Sequence, residues 1–146
     1  MKKVLFLVLA MLAIGSADAQ FQVQEKQKLP EVVWRSPLGG HVKLYAQEQS
    51  NGELYYLVGI NTTNDYDDKL LLHLGNKDKA IATLTQLVND LYVQGEIYEL
   101  ADDRGEAFTL QCSAMNQYVI HKAGYAGRGY VTVGQFARML SVFIEE

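Results

Sequence analysis

Residues 74–95 read LGNKDKAIATLTQLVNDLYVQG, which predicts one amphipathic helix held between two glycine stops, Gly75 and Gly95. Ala80, Ile81, Leu84, Leu87, Val88 and Leu91 recur at three- and four-residue steps, while Lys79, Thr83, Gln86 and Asp90 fall on the other side. A helix with one apolar side needs a core to cover it. Asn76 is the expected N-cap, its amide oxygen accepting from an orphan N–H of the first turn. Gly95 is the expected stop, because glycine takes the left-handed conformation that ends helices. Lys77 and Lys79 near the start and Asp90 near the end oppose the macrodipole, at most about 1 kcal/mol per charge. Burying each Leu or Ile is worth roughly 1.5–3 kcal/mol, so packing has to hold this helix.

Beyond Gly95 the periodicity changes to two. Asp103-Arg104-Gly105 and Ala114-Met115-Asn116 read as three-residue hairpin loops with Gly105 and Asn116 at the left-handed position. The first loop pairs Leu100 with Phe108 and Tyr98 with Leu110; the second pairs Cys112 with Tyr118 and Leu110 with Ile120. Both put Tyr98, Leu100, Phe108, Leu110, Cys112, Tyr118 and Ile120 on one face, and a slip of one residue would scatter that face. Gly124–Gly129, GYAGRG, then connects to Tyr130-Val131. A final helix starts at Thr132 with Gln135 completing a T-x-x-Q capping box, and Val133, Phe136, Ala137, Leu140, Phe143 and Ile144 form its apolar side.

Upstream of the first helix, Leu70–Leu74 reads as a short apolar strand, and His41–Gln49 with Glu53–Ile60 as a hairpin about Asn51-Gly52. A two-residue type I′ turn there pairs Glu48 with Tyr55, Ala46 with Leu57 and Leu44 with Gly59, which would bury Val42, Leu44, Ala46, Tyr55 and Leu57. Leu54, Tyr56, Val58 and Ile60 then form a second apolar face that needs a cover from the chain or from a partner. Glu31–Arg35, fenced by Pro30 and Pro37, is a short edge or first strand with Trp34 facing the core. Asn61–Lys69 is a polar loop whose Asp65, Asp67 and Asp68 lack EF-hand spacing and read as a solvated turn.

The fold class is α+β: an antiparallel sheet of about six to eight strands in two meanders, each followed by a helix, both helices on one face. In topology alone, this doubled order of strands then helix resembles single-strand nucleic-acid-binding folds of the Whirly type. That resemblance implies binding of single-stranded nucleic acid. The acidic charge of the chain opposes it.

The chain opens with Lys2 and Lys3, runs through an apolar stretch from Val4 to Ile14 and reaches Ala17-Asp18-Ala19 before Gln20, the plan of a secretory signal peptide. The apolar run is short of the roughly 17–25 residues that span a bilayer. Cleavage after Ala19 takes residues 1–19 from the 146 and leaves 127, enough for a single domain over 31–146 behind a loose arm at 20–30. The expected product is periplasmic or secreted, with no membrane insertion after cleavage. The signal holds Lys2, Lys3 and Asp18, so 11 basic and 16 acidic residues remain, a balance of −5 that repels phosphate backbones. Nucleic acid is therefore not an expected partner.

Cys112 is the sole cysteine, which rules out an intrachain disulfide. A small hydrolase would have to use Cys112 or one of His41, His73 and His121, since a thiol needs a base within hydrogen-bond reach. The register instead points Cys112 into the core and His121 to the opposite face with Thr109, Gln111 and Ser113. No metal-ligand or cofactor spacing is present, so neither metal nor cofactor is expected. Tyr125, Arg128 and Tyr130 are the expected binding residues, because Arg and Tyr on a glycine-rich connector are free of core duties and suit contact with a protein or a glycan. The leading expectation is a non-catalytic exported module binding a protein or envelope component.

Overall fold

Each half of the chain folds as four antiparallel strands in sequence order and then a helix. The computed structural model describes residues 30–37, 40–62 and 69–144. The signal, nearly all of the N-terminal arm, and Asp65, Asp67 and Asp68 lie outside the described residues. The first half contains β1 (Glu31–Arg35), β2 (Val42–Glu48), β3 (Leu54–Ile60), β4 (Leu70–Gly75) and α1 (Lys77–Thr85), continued by a π-helical turn over Gln86–Asp90. The second contains β5 (Ile97–Ala101), β6 (Ala107–Ser113), β7 (Gln117–Lys122), β8 (Gly129–Thr132) and α2 (Val133–Ile144).

These strands make two four-stranded sheets, β1-β2-β3-β4 and β5-β6-β7-β8, in place of the single sheet of six to eight strands expected from the sequence. The sheets meet at an isolated bridge between Thr62 and Gly129. A Cβ at Gly129 would come within 2.6 Å of Ile60 Cγ2, so only glycine allows this approach. One buried cluster draws on both sheets and both helices, with Leu44, Val58, Leu84, Leu110, Tyr118 and Phe136 in it, and the two helices pack against one another. Trp34 lies opposite Leu44 and packs against this core half-buried.

The second half follows its expected register: Leu100 pairs with Phe108, Tyr98 with Leu110, Cys112 with Tyr118 and Leu110 with Ile120. The first hairpin is one residue out of its expected register. Glu48 pairs with Leu54, Ala46 with Tyr56 and Leu44 with Val58, so the buried face is Val42, Leu44, Ala46, Tyr56, Val58 and Ile60. The turn explains the shift. Gln49 N–H donates to Glu53 O (2.8 Å) and Gly52 N–H to Gln49 O (2.9 Å), closing a loop of Ser50, Asn51 and Gly52 with Gly52 at φ +88°. The β5–β6 loop has the same pattern, with Asp102 N–H donating to Glu106 O and Gly105 N–H to Asp102 O. On the outer face of β3, Leu57 is buried and the Tyr45 ring lies over Gly59, with Lys69 donating to the Tyr45 hydroxyl at 2.7 Å. The chain itself supplies this cover.

Asn76 caps α1 as expected, accepting from Lys79 N–H at 3.0 Å. The helix stops short of Gly95. Its last turn widens so that Leu91 N–H bonds Gln86 O at 2.9 Å, and Gly95 N–H instead donates to Cys112 O in β6. Side chains of the second sheet meet the carbonyls this turn leaves over. Tyr118 Oη donates to Leu87 O at 2.5 Å, and the Cys112 thiol to Leu91 O at 3.5 Å. Burial pushes the Tyr118 phenol well above its ordinary range, which keeps it a neutral donor. The capping box of α2 is reciprocal: Gln135 N–H donates to Thr132 Oγ1 (3.0 Å) and Thr132 N–H to Gln135 Oε1 (2.9 Å).

Candidate functional site

β4 is the edge of the first sheet, and its outward backbone groups would be left unpaired if nothing met them. Three residues from the second half meet them. Lys122 Nζ donates to Leu71 O at 2.8 Å, His73 N–H donates to Asp102 Oδ2 at 3.1 Å, and Asp103 N–H donates to His73 O at 2.8 Å. Asp102 is held from its other side as well, because Oδ1 accepts from the N–H groups of Arg104 (3.0 Å) and Glu106 (2.9 Å). Its carboxylate is thereby fixed by three backbone donors.

Lys122 ends β7 on the inner face of the second sheet, opposite Phe108, and its side chain is only 6% exposed. Its ammonium lies 2.5 Å from Glu106 Oε1 and 3.8 Å from Asp102 Oδ2. His73 is buried beside them, with no hydrogen-bond partner at Nδ1. Burial, then the Arg104 charge, lower its pKa from the ordinary 6.5, against the opposing pull of Asp102 and Glu106. Asp103 links the cluster to the rest of the surface: Tyr55 Oη donates to its Oδ2 at 3.1 Å and Lys79 Nζ lies 3.2 Å from its Oδ1. Burial and the Asp103 bond raise the Tyr55 pKa.

Part of this cluster, His73, Asp102 and Asp103, lines a cavity of about 350 Å³ between α1 with its π turn and the second sheet. Leu72, Leu87, Phe108, Leu110, Ile120 and Phe136 wall it, while His73, Lys79, Asp102 and Asp103 stand at the polar end. π turns recur where a helix gives way to a site, and this one places Gln86 and Leu87 on the cavity.

The residues singled out from the sequence lie elsewhere. Tyr125 is half-buried, its carbonyl bonded by His121 Nε2 at 3.0 Å and its N–H by Lys122 O at 3.1 Å. Arg128 is exposed, and Tyr130 is 41% exposed on β8. His41 lies 3.5 Å from the Asn61 amide, far from this cluster in the chain. Cys112 is buried, with a backbone carbonyl as its partner. Sequence reasoning missed His73, Asp102, Glu106 and Lys122 as a group because they come from three separate segments. One signal was available: the register that buries Tyr118 and Ile120 also buries Lys122, and a lysine on an apolar face needs a partner. No protein-family model, curated protein or solved structure matches the chain. Among the described residues no helix is long and apolar enough to cross a membrane.

The orphaned Nδ1 makes His73 a testable point of tension. Replacing it with leucine, of similar volume, removes an unsatisfied buried polar atom and is expected to raise stability by about 1 kcal/mol at neutral pH. The pH dependence follows from the lowered pKa. The unfolded chain takes up a proton near 6.5 that the folded chain resists, so the stability associated with neutral His73 is complete above that pH and is lost as pH falls through the folded pKa. Urea midpoints at pH 7.5 and pH 5 should therefore separate the two proteins further at the lower pH, and parallel midpoints would show that His73 is not titrating in this way.

Proposed function

We propose that the chain is an exported, non-catalytic binding module that takes a small molecule with an apolar body into the cavity between α1 and the second sheet. The observation that carries this reading is the cavity itself: about 350 Å³, with apolar walls and charged groups gathered at one end. That volume falls in the range of small-molecule sites, which combine apolar walls with a few placed polar groups. The signal-like N-terminus supports export, and a mature protein beginning at Gln20 by mass spectrometry would test it.

A fluorescent apolar probe, anilinonaphthalene sulfonate, tests the binding reading, with decanoate as competitor. The native protein is expected to bind the probe at one site and release it to decanoate. Ala82 is an exposed helix residue that also lines the cavity, so Ala82→Phe narrows the site without touching the core. It is expected to weaken probe binding about tenfold or more while changing stability by about 0.5 kcal/mol or less. A native protein that binds neither probe nor decanoate removes this function, and unchanged binding by Ala82→Phe moves the site elsewhere.

The exposed Arg128 and Tyr130 favour a second reading, contact with a protein or glycan through the Gly124–Tyr130 segment. Arg128→Ala would then weaken retention on immobilised envelope glycan at an unchanged melting temperature. Equal retention takes this segment out of consideration.

A further inference from the structure

We propose that His73, Asp102 and Glu106 form a site for a first-row divalent cation of the Zn²⁺ class, with the Lys122 ammonium holding the place of the metal when none is bound. The inference is independent of what fills the cavity. One ring nitrogen of His73 and one carboxylate oxygen from each of Asp102 and Glu106 lie within 4.8 Å of one another. The acidic pair alone would be explained by Lys122. His73 is what that explanation leaves over, for it is 92% buried (8% exposed) and its Nδ1 meets no donor or acceptor. A buried imidazole with an unpartnered nitrogen calls for a reason, and a metal bound by its ring supplies one.

The donor set selects the metal. One imidazole nitrogen with two carboxylate oxygens suits Zn²⁺ and its neighbours, whereas Ca²⁺ and Mg²⁺ prefer oxygen throughout. Metal–ligand distances of about 2.0–2.2 Å require the three ligand atoms to draw closer than they now stand. Glu106 can make that movement, since its side chain is 52% exposed. Asp102 is already oriented by the N–H groups of His73, Arg104 and Glu106, the kind of outer support that ligating carboxylates carry.

Lys122 makes this a site of exchange. Its ammonium sits 2.5 Å from Glu106 Oε1 and so competes with any cation for that oxygen. When a metal enters, the ammonium gives up Glu106 while Nζ keeps Leu71 O as an acceptor. One cation replaces another over the same carboxylates, and the buried Asp102 never stands without a positive neighbour.

Calorimetric titration of the metal-free full chain with ZnSO₄ at pH 7.5 tests the proposal. One site per chain is expected, weakened about tenfold or more in His73→Gln and in Glu106→Gln. Lys122→Met, freed of the competing ammonium, is expected to bind Zn²⁺ about tenfold tighter and to recover melting temperature on adding it, a rescue that Glu106→Gln in the same background abolishes. Should His73→Gln fail to fold, Glu106→Gln decides, because its half-exposed side chain leaves the core intact. Binding that persists unchanged in Glu106→Gln marks adventitious capture by the exposed His41 or His121 and overturns the site. So does an absence of Zn²⁺ binding in both the wild type and Lys122→Met.

Discussion

In the absence of metal, Lys122→Met should lower the unfolding free energy by about 3–5 kcal/mol, the range for removing one partner of a buried ion pair. Three groups lose their partner together. Leu71 O on the β4 edge is orphaned, Glu106 loses a contact at 2.5 Å, and Asp102 keeps a negative charge on a side chain that is 2% exposed. Glu106 recovers most of its loss by turning to water, so the weight falls on Asp102 and on Leu71 O. Chemical denaturation measures the effect, and the size of the loss discriminates. A change below about 1 kcal/mol would mean that the three backbone N–H groups satisfy Asp102 unaided and that Lys122 has no part in joining the two sheets.

The same residues show where the sequence stops being legible. In the second half, alternation separates apolar Tyr98, Leu110 and Ile120 from polar Glu99, Thr109 and His121, so only one register buries a continuous face. In β3 both faces are apolar: Tyr55 and Leu57 on one side, Tyr56, Val58 and Ile60 on the other. A shift of one residue there loses little by pattern alone, and Asn51-Gly52 suits a two-residue turn as well as the three-residue loop that forms. The division into two sheets was hidden for a related reason. The β4 edge is closed by the Lys122 ammonium, the Asp102 carboxylate and the Asp103 N–H, and no periodicity distinguishes a strand closed by side chains from one closed by another strand. Gly95 has the positive φ expected of a helix stop, yet the helix ends earlier because Tyr118 and Cys112, distant in sequence, bond the carbonyls of Leu87 and Leu91. The candidate site is legible only as far as its one odd residue, the lysine at an inward position. Its partners become visible when the β5–β6 loop is laid against β4.

The buried face of α1, by contrast, follows the spacing at Ala80 and Leu84, and it carries the second large prediction. Leu84 is 0% exposed where α1 runs into its π turn, in a cluster with Ala80, Leu87 and Phe136. Leu84→Ala removes a buried side chain from a packed core and should cost about 2–5 kcal/mol, made of lost transfer energy and a residual cavity. Thr83 is one residue away but half-buried on the side that lines the cavity. Thr83→Ala gives up a β-branched residue for the best helix former, a gain of a few tenths of a kcal/mol that offsets the contacts it loses, so its net effect should stay within about 0.5 kcal/mol. The comparison isolates facing from composition because both variants leave alanine at adjacent positions of one helix. Thermal unfolding followed by circular dichroism should place Leu84→Ala roughly 8–15 °C below the wild type and Thr83→Ala within about 2 °C of it. Equal losses in the two would mean that the helix does not bury the face its leucines define, and the cavity between α1 and the second sheet would lose its wall.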